Sequence, residues 1–248
     1  MKMIAAILAA LTAAACSQPS AGQPDAQASG EARPPVAAGF PEPDRPIAEI
    51  VGSTWTSGPD RDKADESGQI IRALGVAPGM AVADIGAGSG YHALRLSPAV
   101  GPQGRVYAQD VMPAHLEELR EEVERRGLGN IEIVIGAADD PKLPPASVDR
   151  AILAHMYHEI AQPYALMWNL APALKPGARV GILDVDRLPE HHGTPPDLLK
   201  CELEAVGYRQ TDFITLRGGL GYLAIFEPPA PDARPAPGDI RPCRHRRT

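Results

Sequence analysis

The sequence predicts an α/β fold: a mostly parallel, seven-stranded sheet with helices on both faces, finished by an antiparallel hairpin. Three observations predict it. Short β-rich runs alternate with amphipathic helical stretches from about residue 60 to residue 227. The first strand run is apolar almost throughout, as a strand covered on both faces must be. Finally, the last two strand runs are separated by only the Gly218-Gly219-Leu220-Gly221 turn, too short for a crossover, so they must pair antiparallel.

The elements follow in order. Asp65 to Leu74 reads as a helix closed by Gly75, and Met80 to Ile85 as the first strand. Ser89 to Pro98 is the next helix, and Gly104 to Asp110 is a second strand ending in an acid. Pro113 to Arg126 carries Pro at a first-turn position, sets Leu116, Leu119 and Val123 on one face, and stops at Gly127. Ile131 to Ile135 and Val148 to Ala154 are strands three and four. Gln162 to Leu174 is a helix terminated by Lys175-Pro176-Gly177, and Ala178 to Asp184 is the fifth strand. Thr194 is placed to cap a helix that opens at Pro195 and runs through Val206 to Gly207. Arg209 to Leu216 and Tyr222 to Glu227 form the closing hairpin.

At 248 residues there is room for one full α/β domain with tails, and 44% hydrophobic residues supply a core. Only 4% are aromatic, so Ala, Leu, Ile and Val must build that core. A net charge of −7 and the lack of a central basic stripe disfavour a nucleic-acid substrate, which demands clustered Lys and Arg.

Residues 1–16 read as a targeting segment: Lys2, then an apolar run from Ile4 to Ala15, too short to span a bilayer comfortably. Ala13-Ala14-Ala15 before Cys16 resembles a bacterial lipoprotein processing site, although Ala13 stands where such sites usually have Leu. That resemblance implies a lipid anchor at Cys16 and a place in the cell envelope or periplasm. Residues 17–46, rich in Ala, Gln, Ser, Gly and Pro, read as a flexible tether. Residues 47–227 form the domain, and 228–248 a disordered tail with a basic end. Three cysteines make no disulfide framework. An oxidising compartment would permit a Cys201–Cys243 bond, but Cys201 reads as a small half-buried residue.

The first strand leads into Gly86-Ala87-Gly88-Ser89-Gly90 and a helix start, which offers free N–H groups to ligand oxygens. Twenty residues beyond Gly90 the second strand ends at Asp110, whose carboxylate can accept two ribose hydroxyls. A dinucleotide fingerprint would require Gly at position 91, where the chain has Tyr91. The observed spacing, with Asp84 before the first glycine, suits an adenosine ligand without pyrophosphate.

The stretch Val82 to Tyr91 resembles motif I of the class I S-adenosylmethionine-dependent methyltransferases. The likeness extends over roughly residues 60–227, through Asp110, Ala138-Asp139-Asp140 and Leu174-Lys175-Pro176-Gly177. It implies a Rossmann-like methyltransferase fold with S-adenosylmethionine as cofactor. It also implies that Asp84, Gly86, Gly88 and Gly90 hold the methionine part, Asp110 and Val111 the ribose, and Ala138 and Asp139 the adenine. Ala87, Tyr91 and His155 complete the cofactor set. Many family members have Asp-Ala in the adenine turn, where this chain has Ala137-Ala138.

The acceptor should lie beyond strands four and five, outside the carboxyl ends of the sheet. Four of the seven histidines fall there, in His155-Met156-Tyr157-His158-Glu159 and in His191-His192. His155 or His158 with Glu159, beside Tyr157 and with His191 or His192 opposite, is the candidate set to orient or deprotonate an acceptor. The competing reading makes Tyr157-His158-Glu159 a locally packed segment. No metal is expected: His155, His158, Glu159, Asp184, Asp186 and His192 could converge, but no recognised metal spacing is present. Trp55 reads as a lid over the ligand or as an apolar anchor. The expected activity is methyl transfer to a small molecule or cell-envelope component; the alternative is a non-catalytic exported binding protein of the same fold.

Overall fold

The computed structural model describes residues 37–50 and 58–244. The signal-like segment, most of the expected tether, Trp55 and the last four residues lie outside the described residues. Helices α1 (Gly58–Lys63) and α2 (Glu66–Leu74) precede β1 (Ala81–Ile85). Then follow α3 (Ala93–Val100), β2 (Arg105–Asp110), α4 (Pro113–Arg126), β3 (Ile131–Ile135) and β4 (Val148–Ala154). The chain continues through α5 (Pro163–Leu170), β5 (Leu174–Asp184), α6 (Pro196–Ala205), β6 (Arg209–Thr215) and β7 (Tyr222–Glu227). Among the described residues no helix is long and apolar enough to cross a membrane.

The strands form one seven-stranded sheet in the order β3-β2-β1-β4-β5-β7-β6. The first five pair parallel, whereas β7 inserts between β5 and β6 antiparallel to both. The expected architecture is therefore the observed one. Its cause is visible in β1, where alternate side chains serve two separate cores. Ala83 and Ile85 pack into the core that holds Met167, Leu170, Leu199 and Leu203 of α5 and α6. Val82 packs into the core with Ile70, Leu74, Leu96 and Leu119 of α2, α3 and α4. Both faces are covered, so the strand reads as an apolar run interrupted only by Asp84.

Local boundaries depart from expectation for identifiable reasons. The helix expected from Ser89 begins at Ala93, because residues 86–90 are taken up by a loop in which Gly86, Gly88 and Gly90 all have positive φ. The helix expected over 162–174 ends at Leu170 and gives way to a 3-10 turn, Ala171–Ala173, where Pro172 lacks the N–H needed to continue. Leu174 already belongs to β5, and a register irregularity between Val148 and Arg150 accommodates Pro176-Gly177. Thr194 does not cap α6: its hydroxyl donates to Asp184 Oδ2 at 2.7 Å.

Both segments expected to be loose are packed where they are described. Phe40 meets the Trp168 ring edge-on at 5.6 Å. Arg45 is buried, with Nε 3.0 and 3.2 Å from the two carboxylate oxygens of Glu202 and its guanidinium donating to the Tyr157 and His158 carbonyls. At the other end Arg234 lies over Trp168, Trp168 Nε1 donates to the Pro235 carbonyl, and Ile240 and Cys243 are buried. A composition average hid these few anchors. Cys201 is exposed rather than half-buried, and it forms a disulfide with Cys243 across 42 residues.

That bond ties the C-terminal segment to α6. Reduction, or replacement of both cysteines by Ser, is expected to cost about 4 kcal/mol by loop-closure entropy. This corresponds to a fall of about 8–16 °C in Tm, read by thermal denaturation with and without dithiothreitol. A melting temperature that ignores the reductant would show that the segment is held by its other contacts.

Candidate functional site

β1 connects through α3 toward β2, while its neighbour β4 connects through α5 toward β5. The two connections leave the carboxyl edge in opposite directions and open a crevice between them. There lies a cavity of about 270 Å³. One wall is Gly86-Ala87-Gly88-Ser89, Tyr91 and Gln109 to Met112; the other is Ala154-His155-Met156 and Glu159-Ile160-Ala161. Ile50, Arg61, His115, Ala137, Ala138 and Leu166 close it, so the lining is mostly apolar.

Two glycines in the loop do different jobs. A Cβ on Gly90, at φ 92°, would sit 2.3 Å from Leu119 Cδ1, so this glycine lets α4 approach. A Cβ on Gly88 would meet nothing within 4 Å, so its bareness serves whatever enters the cavity. The Gly88 N–H donates to Asp110 Oδ2 at 2.8 Å, and the Met112 N–H donates to Oδ1 at 2.8 Å. Asp110 therefore braces the loop while facing the cavity.

Asp84 does not line the cavity as expected. It is buried behind the loop, where burial pushes its carboxyl up to about 7 although the Ala93 N–H hydrogen-bonds to it. Its Oδ2 has no hydrogen-bond partner among the described residues.

A second buried acid organises the floor. Burial favours the neutral form of Glu66, but hydrogen bonds from His155, His92 and Arg61 outweigh it and hold the carboxyl well below the usual range. His155 Nε2 lies 3.3 Å and Arg61 Nε 2.9 Å from its oxygens. Burial lowers the His92 ring to about 4, so at neutral pH that ring is uncharged. The Arg61 and Arg95 guanidinium groups lie 3.6 and 3.8 Å from the Tyr91 ring centroid, and the Tyr91 hydroxyl donates to Asp62. Helix α1 is thereby clamped onto the start of α3, with a cation, Arg61, at the cavity wall.

On the acceptor side the structure sorts the candidates. Glu159 lines the cavity, and His155 does so through its contact with Glu66. His158 does not reach the cavity: it is fully buried, with Nδ1 3.0 Å from Asp184 Oδ2 and Nε2 3.9 Å from Glu159 Oε1. His192 packs its ring edge-on to His158 at 5.6 Å, whereas His191 and Asp186 are exposed. Tyr157 is no cavity residue either, being buried in the core with Arg45 against its ring.

Of the expected cofactor residues, Gly86, Ala87, Gly88, Tyr91, Asp110, Val111, Ala138 and His155 share the cavity. Asp139 does not; its carbonyl accepts from Asn169, and Ala137 takes the place beside Ala138. Sequence reasoning missed Arg61, Glu66 and His92. Only the mutual contacts of these residues reveal them, and no local motif signals them.

The Asp84 shift has a signed consequence. Below about pH 4 the carboxyl is protonated in folded and unfolded chains alike. Between about 4 and 7 only the unfolded chain releases the proton, so stability falls as pH rises, then levels off above 7. Asp84→Asn is expected to match the wild type near pH 4 and to exceed it above pH 7, by up to about 4 kcal/mol. Urea denaturation at pH 4, 5.5 and 7.5 reads the difference, from which the opposite contribution of Glu66 cancels.

Residues 82–177 match a family model described as a methyltransferase domain. A protein-L-isoaspartate O-methyltransferase from Aeropyrum pernix is 32% identical over 190 residues, spanning 76% of this chain and 68% of that protein. Its counterpart from Methanothrix thermoacetophila is 32% identical over 44% of this chain and 49% of its own length, so the chain spans only about half of some relatives. The crystal structure of a SAM-dependent methyltransferase from Aquifex aeolicus superposes with a TM-score of 0.62 at 26% identity, covering 68% of this chain and 91% of that one. With the glycine loop, the braced Asp110 and the hairpin-closed sheet all in place, the chain belongs to the class I S-adenosylmethionine-dependent methyltransferases.

Proposed function

We propose that the chain transfers the methyl group of S-adenosylmethionine to a small-molecule or cell-envelope acceptor. The observation that carries this reading is one cavity lined by Gly86-Ala87-Gly88-Ser89 and Tyr91 on one wall and by Glu159 on the opposite one. The residues fit the cofactor: the open cradle at Gly88, the preset Asp110, the apolar Ala137-Ala138 turn and the cation Arg61 each match one part of it. Arg61 answers a carboxylate, Asp110 answers ribose hydroxyls, and the alanine turn answers a flat ring. Bound there, the cofactor supplies an already activated methyl carbon.

The chain's own residues then have three tasks. The apolar walls around Met112, Met156 and Leu166 exclude water. The opposing walls hold the acceptor in line, which is the larger share of the catalysis. Glu159 can take the proton of a hydroxyl or thiol acceptor, and buried His158 sits behind it as a positioning residue.

Calorimetric titration with S-adenosylmethionine and S-adenosylhomocysteine tests the reading. Wild-type binding is expected, with Asp110→Ala and Gly88→Ala at least tenfold weaker. Gly88→Ala should keep its fold to within about 2 kcal/mol, since a left-handed alanine costs only that much. No binding by the wild type would overturn the assignment. Transfer of a tritiated methyl group into an envelope fraction, as against a low-mass filtrate, separates the two acceptor classes.

The same proposal places the chain at the cell envelope, anchored through Cys16. The signal-like residues 1–16 support it, and so does the Cys201–Cys243 disulfide, a bond that persists in oxidising compartments. Mass spectrometry of the mature protein from its native host is expected to find an acylated Cys16 N-terminus, and an unprocessed Met1 would remove the claim.

A further inference from the structure

His158, Glu159 and His192 turn three ligand atoms toward one another, all within 4.8 Å. The buried carboxylate behind them decides their chemistry. Asp184 is fully buried and already accepts the Val185 N–H and the Thr194 hydroxyl, and His158 Nδ1 stands 3.0 and 3.1 Å from its two oxygens. Asp184 thus draws the His158 proton to Nδ1 and leaves Nε2 as a bare lone pair. Nε2 has no hydrogen-bond partner among the described residues, and neither has the buried Nδ1 of His192. Glu159 Oε1 lies 3.9 Å from that same Nε2.

Such a gathering of acceptors calls for something positive between them. A proton satisfies one contact and leaves a ring nitrogen unpaired. A metal ion answers both ring nitrogens at once and can take a carboxylate as its third ligand.

We infer that His158, Glu159 and His192 form a site for a divalent transition-metal ion beside the cofactor cavity, which it meets through Glu159, with Asp184 orienting His158. Two imidazoles, one carboxylate and a second carboxylate behind a ligating histidine are the donor set that zinc and its neighbours take. Ligands about 2.1 Å from a tetrahedral zinc stand about 3.4 Å apart, so the widest separation must close by a little over 1 Å. Half-buried His192, which ends a short 3-10 turn, is the member placed to move. Three protein ligands leave a fourth position for an outside oxygen or sulfur. Glu159 also lines the cavity and is the link between this site and the cofactor pocket, and a hydroxyl or thiol that takes the fourth position from that side loses its proton to solvent more readily. Only this last role, holding the acceptor, rests on the methyltransferase reading.

The test uses the full chain stripped with a chelator and titrated with Zn²⁺, then with Co²⁺ for its visible d–d bands. One equivalent of zinc and a low-symmetry cobalt spectrum are expected. His192→Ala and Glu159→Gln, both at half-buried positions, should weaken zinc binding at least tenfold. Asp184→Asn should weaken it about 10–100-fold, and His191→Ala should leave it unchanged. Thermal melts confirm that each variant is folded. Titrating S-adenosylmethionine into the same stripped samples reports the cofactor pocket separately, so the two readings fail independently. Zinc binding that is absent, or that survives His192→Ala and Glu159→Gln undiminished, overturns the site. A proton shared between His158 Nε2 and Glu159 in the histidine NMR spectrum overturns it as well.

Discussion

The structure hangs on a topological constraint: neighbouring parallel strands β1 and β4 send their connections to opposite sides of the sheet. A parallel pair cannot be closed by a tight turn, so each connection must rise over a face. Where they part, the carboxyl edge is left uncovered by either. The loop after β1, the end of β2 at Asp110 and the segment after β4 all empty into that gap. Most of the cavity lining comes from what those three termini carry.

The gap would be useless if its rims were soft, and the two buried acids differ in how they stiffen it. Glu66 is ionised and saturated by Arg61, His92 and His155, which fastens α1 and α2 to the post-β4 segment. Asp84 is buried behind the glycine loop with Oδ2 unpaired among the described residues, so its charge is penalised. A cationic ligand nearby would relieve that penalty, which couples binding to the protonation of an acid that never touches the cavity.

The acceptor side is stiffened from outside. Arg45, ion-paired to Glu202 with both side chains inaccessible to solvent, donates to the carbonyls of Tyr157 and His158. Breaking such a pair by removing one partner costs several kcal/mol, because a charge is stranded. The segment that supplies Arg45 and the segment that supplies Cys243 meet in an isolated parallel β-bridge, backbone to backbone, at Asp44 and Arg244. Chain that looks like tether and tail thereby becomes the brace for His158 and Glu159.

The alternation of strands and helices, the antiparallel finish, the glycine loop and Asp110 were legible in the sequence, because each is written in local pattern. Apolar runs mark strands covered on both faces, a four-residue turn forbids a crossover, and spaced glycines mark a close approach of backbone to ligand. Helix ends were legible only to within a few residues, since Pro172 and the loop at 86–90 override the amphipathic period. What the sequence by itself determined was thus the architecture and one half of the cavity, the glycine loop with Asp110, whereas Asp84 and Asp139 fell outside it. The other half was decided by tertiary structure: Arg61 and His92 on Glu66, Asp184 behind His158, His192 beside it, Arg45 on Glu202, Cys201 bonded to Cys243. These partners stand between 5 and 157 residues apart, and no local period or spacing records a contact made only when distant elements pack.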